Sequence, residues 1–521
     1  MQIYSFSPFG YEGSLVTVEV DLRRGIPAID LVGLADGAVK EARERMQAAI
    51  RNSGFDFPPE RVLISLSPAD LKKEGAGFDL PIALGVLHAQ DQIKNENSEN
   101  TKDDSPILIM GELELSGNIR PVRGVHAATS TAASAGIMKC IVPLSNAEEA
   151  REVTGMAVFG ATNLQEAFAA LSNPELFTTQ KKHTGADDEE NHPECEESYG
   201  VLFAKNTAQL EFGDIKGQQK LVRALQIAAA GGHNLIAVGA PGCGKTMSMQ
   251  KFPGILPALT REEAQSVTRI MSIAGLLSAK QSLIRIPPFR MPHQTASIEG
   301  ICGGGPNCRP GEISLAHNGV LFLDEAAEFR SSVLQMLRVP LESGQITISR
   351  AGRSTVFPAN FQLLIASNPC PCGNFGSETK LCLCSARSIE LYWKKFSAPL
   401  LDRIDLRVNI QNENNTDGKN KTTLELREEI ARAVLTQRKR QGKKNAALTP
   451  GEIAEICKLS EETRSVLDDE VRHWNYSPRS ISSCLKTART IADMSGSAEI
   501  QVAHIKEALD FRRPLNDFFA G

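Results

Sequence analysis

Residues 239–246 carry the clearest chemistry in the sequence, because GAPGCGKT matches G-x-x-x-x-G-K-[ST] at every fixed position. The apolar run 235–238 precedes them and predicts a strand, and a helix is predicted to follow. Glycines let backbone N–H groups surround phosphate oxygens, a lysine adds positive charge, and a threonine hydroxyl can bind Mg²⁺. We therefore predict a nucleotide and Mg²⁺ site at Gly239, Ala240, Pro241, Gly242, Cys243, Gly244, Lys245 and Thr246.

A second segment, residues 319–325, is an apolar run that ends in two carboxylates, GVLFLDE. Such a run is a weak pattern alone, but downstream of a complete phosphate loop it is typical of a Walker B strand. Asp324 is predicted to hold Mg²⁺, directly or through water. Glu325 is predicted to orient and deprotonate the attacking water. The two segments together predict ATP hydrolysis.

Four of the eleven cysteines fall close together, as C-x-C, nine residues and a second C-x-C. They are Cys370, Cys372, Cys382 and Cys384. Four thiolates suit a tetrahedral Zn²⁺ ion, and Gly373, Asn374 and Gly376 would let the loop between the two pairs fold back. The usual spacing within a pair, however, is C-x₂₋₄-C. We predict a structural zinc site here, with free or redox-active thiols as the alternative.

Composition limits what else the chain can be. The 521 residues have a net charge of −5, so any contact with nucleic acid must come from local basic patches. The first residues lack the charged and apolar regions of a signal peptide, and no apolar run has the length of a membrane span. We therefore expect a cytoplasmic protein that does not enter a membrane.

The predicted elements that position these residues form a multidomain α/β protein. Residues 1–171 alternate strand-like and helix-like runs and predict an α+β domain, and residues 172–204 are acidic and predict a flexible linker. Residues 205–410 contain the phosphate loop and its parallel sheet. Residues 411–521 predict a helical lid, with a first helix at 422–436 and later helices capped by Thr449, Ser460 and Ser477. A basic run at 438–444 is either solvated or in contact with DNA phosphates.

The central region resembles the AAA+ ATPases, whose sites are shared between subunits. Asn368 ends a strand as the sensor 1 residue does, and Arg403, in PLLDRIDL, resembles the arginine finger that completes a neighbour's site. Arg479, in Ser-Pro-Arg at a helix start, resembles sensor 2, which reaches back to the γ-phosphate bound by its own subunit. Arg403 could instead be an ion-pair partner of Asp402 or Asp405.

Two insertions narrow the resemblance further. Residues 287–317 form a glycine-rich insert, and residues 345–356 alternate about a short turn and predict a β-hairpin with Arg350 and Arg353 at its tip. With GHNLIAVGAPGCGKT, FRMPHQTAS, GEISLAHNGVLFLDE and NPCPCG, the chain resembles the ComM/YifB group of magnesium-chelatase-like AAA+ ATPases. Residues 294–308 depart from the sequence pattern expected for that family.

That resemblance implies an ATP-driven DNA helicase, a homo-oligomeric ring and a hexamer, which promotes branch migration of recombination intermediates during natural transformation. It implies DNA as the partner, with the hairpin arginines at the phosphate backbone. A magnesium-chelatase motor subunit is the main alternative. An ATP-dependent protease and a scaffold without activity are more remote.

The first domain resembles the proteolytic domain of Lon-type proteases, which has the ribosomal S5 domain 2-like fold. The resemblance rests on KEGAGFD at 73–79 and SGNIRPVRGVHAA at 116–128. Gly77 falls at the position of the nucleophilic serine and His126 at that of the lysine base. Because glycine offers no nucleophile, we expect a domain without protease activity.

Overall fold

The protein is described here by a computed structural model. The structure describes residues 1–33, 37–69, 73, 76–94, 105–179, 193–278, 281–305, 308–350, 353–376, 380–410 and 420–514. The most acidic part of the predicted linker, residues 187–190, lies outside the described residues, as does the tip of the predicted hairpin at 351–352.

The first domain is built on an eight-stranded mixed sheet in the order β10-β9-β8-β5-β1-β2-β4-β3. The strands of the domain are β1 Ile3–Ser7, β2 Ser14–Arg23, β3 Ile29–Val32, β4 Arg61–Ser67, β5 Ile107–Ile109, β6 Glu112–Leu113, β7 Ile119–Arg120, β8 Lys139–Pro143, β9 Ala157–Ala161 and β10 Thr178–Thr179. Strands β6 and β7 pair with each other, outside the eight-stranded sheet. Its helices are α1 Gly37–Asn52, α2 Asp79–Lys94, α3 Val125–Ser134, α4 Ala147–Arg151 and α5 Leu164–Leu171. Neighbouring residues of β5 alternate between two apolar clusters, so the sheet buries both faces.

The last part of the predicted linker is ordered, contrary to the sequence interpretation. Residues 195–204 form an antiparallel hairpin of β11 Cys195–Ser198 and β12 Val201–Ala204. Arg427 of the lid, with a side chain only 1% exposed, pairs with Glu196 at 2.5 Å and donates to the Ala204 carbonyl oxygen at 2.6 Å. An acidic residue that satisfies a buried guanidinium anchors the segment, whereas the sequence pattern suggested solvation.

The central region is a five-stranded, all-parallel sheet in the order β14-β17-β20-β13-β21. Its strands are β13 Leu235–Gly239, β14 Phe289–Arg290, β17 Val320–Leu323, β20 Gln362–Ser367 and β21 Leu406–Ile410. Leu235 and Ala237 face one apolar cluster and Ile236 and Val238 face another, which is why β13 is continuously apolar. The segments that follow β13, β17 and β20 at the carboxyl edge of the sheet carry the phosphate loop, Asp324 with Glu325, and Asn368.

The remaining elements of the central region surround this sheet. Its helices are α6 Gln219–Gly231, α7 Lys245–Gln250, α8 Arg261–Ala274, α9 Ile298–Cys302, α10 Glu312–Leu315, α11 Ser331–Met336, α12 Pro340–Ser343, α13 Ala386–Lys394 and α14 Ala398–Leu401. Short strands β15 Gly303–Gly304 and β16 Arg309–Pro310 pair within the glycine-rich insert.

The predicted hairpin is confirmed, as β18 Gln345–Arg350 and β19 Arg353–Pro358, with Arg350 opposite Arg353 in register. Its base packs against the first domain, where the Tyr11 ring meets that of Phe357 edge to face at 6.3 Å. The guanidinium of Arg269 in α8 lies over the Tyr11 ring, 4.7 Å from its centre. The first domain therefore contacts the base of the hairpin directly.

The lid contains α15 Thr423–Gln441, α16 Pro450–Ile456, α17 Glu461–Trp474, α18 Pro478–Ser495 and α19 Val502–Asp510. The predicted N-caps Thr449, Ser460 and Ser477 each accept a backbone N–H, so those helix starts are confirmed. Helix α15 runs farther than predicted and ends at Gly442, whose φ of 71° suits a glycine. Within the described residues, no helix has the length and apolarity needed to cross a membrane.

The longer α15 changes the meaning of the basic run. Arg438, Lys439 and Arg440 form its last turn, where positive charge stabilises the carboxyl end of a helix. Arg440 makes two hydrogen bonds, of 2.7 and 2.8 Å, to the fully buried carboxylate of Asp493 in α18. This arginine joins two lid helices, although its side chain remains 26% exposed.

Candidate nucleotide site

The phosphate loop joins β13 to α7 at the carboxyl edge of the sheet. Gly242 and Gly244 have φ angles of 79° and 85°, which a residue with a Cβ adopts only with strain. The Lys245 ammonium lies inside this loop and donates to the carbonyl oxygens of Gly239 at 2.6 Å and Ala240 at 2.8 Å. The turn thus places one cation at its centre, where the phosphates of a nucleotide would bind.

The two predicted Mg²⁺ ligands lie side by side. The Thr246 hydroxyl donates to Oδ1 of Asp324 at 3.0 Å, although the two residues belong to different strand–loop connections. Oxygen ligands at this separation can share one Mg²⁺ ion between them. The structure therefore brings together the hydroxyl and carboxylate that the sequence assigned to the same metal.

Glu325 follows Asp324 in an unusual backbone conformation. Its φ of 47° and ψ of 45° lie in the left-handed region, and its N–H donates to Oδ1 of Asp324 at 3.0 Å. Non-glycine residues rarely adopt this conformation, and such strain is concentrated at functional sites. The turn leaves the Glu325 side chain exposed, next in sequence to Asp324, one of the two predicted Mg²⁺ ligands.

Asn368 reaches the same place from the strand between the other two. Because β20 lies between β13 and β17, the chain after β20 emerges between the phosphate loop and Asp324. Oδ1 of Asn368 lies 3.3 Å from the Lys245 ammonium. Three separate segments of the chain therefore meet at one point.

The two predicted arginines share an acidic partner. Arg403 and Arg479 both form ion pairs with the carboxylate of Glu342, at the end of α12, the second at 3.1 Å. The Arg403 hydrogen bond, followed by the charges of both arginines, lowers the pKa of Glu342 below its ordinary value. Arg403 and Arg479 were predicted to have separate roles, but in the structure both contact the Glu342 carboxylate.

Asp402 and Asp405, the alternative ion-pair partners considered for Arg403, contact other residues in the structure. Asp402 lies 3.7 Å from Arg512, and Asp405 lies 3.4 Å from Nδ1 of buried His233. Burial alone would raise the pKa of Asp405, but its interactions with His233, Ser483 and Arg512 together outweigh burial and lower the pKa to about 2.

The four cysteines predicted to bind zinc form one cluster, in which all sulfur atoms lie within 4.8 Å of one another. The Sγ of Cys370 lies 3.4 Å from that of Cys372 and 3.7 Å from that of Cys382. Sulfurs at the corners of a tetrahedron about Zn²⁺, each about 2.3 Å from the metal, are about 3.8 Å apart. All four are free thiols, and their arrangement fits a tetrahedral metal.

Other residues singled out in the sequence take different positions. Gly77 lies in the turn Ala76–Phe78, and His126 is buried in α3, where burial and the charge of Arg269 lower its pKa to about 4. Cys243, itself a residue of the phosphate loop, is buried, and its Sγ lies 3.6 Å from the Lys245 ammonium. For Arg350 and Arg353 the structure defines the backbone pairing alone.

Sequence reasoning missed Glu342, whose importance follows only from its two arginine partners. The three residues are far apart in the chain, and an acidic residue in a short surface helix has no distinguishing pattern. Gly373, beside the cysteines, was noted only as a flexible position. In the structure it is buried and packs against the phosphate loop.

The parallel sheet, the phosphate loop and the helical lid define an ATPase domain of the AAA+ class, in the magnesium-chelatase branch. Three family descriptions match the chain: "Magnesium chelatase, subunit ChlI" over residues 211–418, "Subunit ChlI of Mg-chelatase" over 18–146, and "Magnesium chelatase, subunit ChlI C-terminal" over 420–512. Proteins of this class use ATP and Mg²⁺.

Full-length relatives make the assignment more specific. The chain is 38% identical to competence protein ComM of Haemophilus influenzae, over 98% of this chain and 97% of that protein. It is 38% identical to the uncharacterized protein YifB of Escherichia coli, over 98% and 96% of the two chains. The magnesium-chelatase 38 kDa subunit of Acidiphilium rubrum is 26% identical over 30% of this chain and 52% of its own. The chain therefore belongs to the ComM/YifB family of magnesium-chelatase-like proteins.

Proposed function

We propose that the protein is a cytoplasmic, ring-forming ATPase that moves DNA strands in recombination intermediates, as a helicase of branch migration. The observation that carries the proposal is an assembled nucleotide site together with two arginines that share one carboxylate partner. Lys245, Thr246, Asp324 and Asn368 meet at one point, while Arg403 and Arg479 have a common partner in Glu342. Full-length similarity to a competence protein supports DNA as the substrate.

In this proposal both arginines act on ATP bound by the neighbouring subunit. Because Arg403 and Arg479 share one carboxylate, a surface that presents one to a neighbour also presents the other. Glu342 holds the two guanidinium groups in place and neutralises part of their mutual repulsion. Hydrolysis then needs an oligomer, for which we propose a hexamer.

We propose that the hairpin β18–β19 contacts the DNA backbone. Arg350 and Arg353 are backbone partners in the last pair of the hairpin before its turn, so two basic residues stand at its end. Phosphate contacts by arginine are independent of sequence, as a motor that moves along DNA requires. The basic run of α15 is a weaker candidate, since Arg440 is already paired with Asp493.

We further propose that the four-cysteine cluster binds Zn²⁺, since the sulfur separations fit tetrahedral coordination. Cys370, Cys372, Cys382 and Cys384 would be the ligands. Four thiolates would fill all four positions of a tetrahedral ion, so the ion would be structural and would not take part in hydrolysis.

We propose that the first domain is a Lon-like domain without protease activity. Gly77 offers no nucleophile, and the buried His126 ring is only 2% exposed, so it cannot reach a peptide substrate. Its contact with the base of the hairpin, through Tyr11 and Phe357, supports a role in positioning the DNA-binding part of the motor.

A magnesium-chelatase motor subunit is the second candidate, and the family matches to chelatase subunits favour it. It would drive Mg²⁺ insertion into a porphyrin through partner subunits. Its ATPase rate would respond to those partners and would be unaffected by DNA, whereas the DNA motor proposed here should be stimulated by DNA.

The decisive experiment is a branch-migration assay on synthetic three-way and four-way junctions, with and without ATP. We expect ATP-dependent strand exchange by the wild type. Glu325→Gln should bind ATP without turnover and give no strand exchange, while Glu328→Gln, at an exposed carboxylate three residues away, should behave as the wild type. Absence of strand movement at every salt concentration tried would disprove the DNA-motor proposal.

A further inference from the structure

The cysteine cluster lies in a loop that leaves the nucleotide site directly. Strand β20 ends at Ser367, Asn368 contacts Lys245, and Cys370 follows two residues later. The Gly373 N–H donates to the Cys370 carbonyl oxygen at 3.0 Å, which closes a tight turn that holds Cys370 and Cys372. The indole N–H of Trp393 in α13 donates to the Pro369 carbonyl oxygen at 3.0 Å. This turn is thus fixed at one end to the sensor strand.

The same turn packs against the phosphate loop. Gly373 is buried with a φ of 77°, and a Cβ placed on it would lie 2.5 Å from Cγ and Cδ of Pro241. Such a distance is far below van der Waals contact, so the turn and the loop meet with no space for a side chain. Two residues of the nucleotide site, Pro241 and Asn368, are therefore in contact with, or adjacent to, the cysteine turn.

The other half of the cluster has little to hold it in place. Residues 380–385, which carry Cys382 and Cys384, form no helix or strand. The side chains between and before these cysteines face solvent, since Leu381 is 80% exposed and Leu383 is 83% exposed. A segment without a core of its own needs another source of stability, and in small loops a bound metal commonly supplies it.

We infer that the metal site controls the nucleotide site: Zn²⁺ bound by the four cysteines holds the Cys370–Gly373 turn against Pro241 and Asn368, so that ATP affinity depends on bound zinc. The inference rests on the ATP site and the zinc site proposed above. The ion acts as a clamp between two parts of the chain, which brings the exposed segment and the buried turn together. Loss of the metal would release the turn and, with it, the position of the phosphate loop.

A matched pair of glycine variants tests the contact itself. Gly373 and Gly376 lie in the same loop with φ angles of 77° and 74°, so an added methyl group strains the backbone similarly at both. A Cβ at Gly373 collides with Pro241, whereas one at Gly376 meets nothing within 4 Å. We expect Gly373→Ala to weaken ATP binding by at least tenfold with its zinc retained, and Gly376→Ala to change it less than twofold.

The metal itself is tested with Cys382→Ser and Cys384→Ser in the full-length protein, because neither residue adjoins the nucleotide site in sequence. Zinc per chain is measured by plasma mass spectrometry, and ATP affinity by fluorescence titration with a labelled ATP analogue. Circular dichroism checks that the variants remain folded. We expect about one zinc per chain in the wild type, loss of zinc in both variants, and at least a fivefold weaker affinity for ATP.

Each outcome separates the proposals. Wild-type protein that binds ATP but contains no zinc would disprove the metal site. Folded, zinc-free variants with wild-type ATP affinity would disprove the coupling while leaving the metal site in place. Wild-type protein that contains zinc but does not bind ATP would disprove the nucleotide site instead.

Discussion

The ammonium nitrogen of Lys245 lies 3.3 Å from Oδ1 of Asn368, although 123 residues separate them in the chain. The lysine belongs to the phosphate loop and the asparagine to the end of the adjacent strand. Both side chains therefore face the place where the terminal phosphate of ATP would lie. Their roles should differ, because the lysine offers a charge and the asparagine a hydrogen-bonding amide.

We expect Lys245→Ala to abolish measurable ATP binding, since it removes the one cation at the centre of the phosphate loop. Asn368→Ala should keep the affinity within about threefold but reduce kcat by roughly 10²-fold, the size of effect expected for one positioned hydrogen-bonding group. Equilibrium titration with labelled ATP and a phosphate-release assay measure the two quantities. A large loss of affinity in Asn368→Ala would show that it binds the ground state.

The shared partner of Arg403 and Arg479 predicts how inactive subunits combine. Lys245→Ala keeps both arginines but cannot bind ATP, whereas Arg403→Ala and Arg479→Ala keep the phosphate loop. In head-to-tail rings mixed in equal amounts, about a quarter of the interfaces would join an intact ATP site to intact arginines. We expect partial recovery of ATPase activity on mixing Lys245→Ala with either arginine variant.

The two mixtures distinguish the sites of action. Recovery with Arg403→Ala but none with Arg479→Ala would place Arg479 at the ATP of its own subunit, contrary to the proposal. Each arginine variant alone should lose about 10³-fold in kcat or more, as arginine fingers do. Arg472→Ala, at an exposed lid arginine whose ion pair among the described residues is with the exposed Asp469, serves as the control.

The paired arginines of the hairpin predict the salt dependence of DNA binding. If Arg350 and Arg353 each neutralise one phosphate, removing either should reduce the magnitude of the negative slope of log affinity against log salt concentration by about 0.7 to 0.9. Affinity should fall equally for DNA of any sequence. Fluorescence anisotropy at several salt concentrations measures this, with Arg472→Ala as the control. An unchanged slope in both hairpin variants would exclude phosphate contacts at the tip.

His126 predicts how the stability of the first domain changes with pH. Burial, and then the charge of Arg269, lower its pKa from an ordinary 6.5 to about 4. Between these values the unfolded chain binds a proton that the folded chain does not, so stability should fall as pH decreases from about 6.5 and level off below about 4. The cost from this group at pH 5.5 is on the order of 1 kcal/mol.

His126→Leu removes the titrating group while keeping an apolar side chain in the buried position, where neither ring nitrogen has a hydrogen-bond partner among the described residues. We expect its Tm to fall less than that of the wild type between pH 8 and pH 5. His473→Leu, at an exposed ring in the lid, should follow the wild-type curve. Parallel curves for His126→Leu and the wild type would contradict the assignment.

Much of the site could be predicted from the sequence, because its signals are local. The phosphate loop needs glycines at fixed positions, and an apolar run that ends in Asp324 and Glu325 is typical of a buried parallel strand. Helix caps such as Ser477 mark where the lid helices begin. The hairpin alternation also predicted the pairing of Arg350 with Arg353. In each case one short segment carries both the pattern and its physical reason.

Only the tertiary structure decided which distant segments meet. Nothing in the acidic sequence near Glu196 indicated that it would pair with a buried arginine more than 200 residues away. Glu342 and Gly373 likewise acquire their importance from contacts with Arg403, Arg479 and Pro241. Local patterns determine strands, turns and caps, whereas long-range contacts depend on how the sheet orders its strands and brings their loops to one edge.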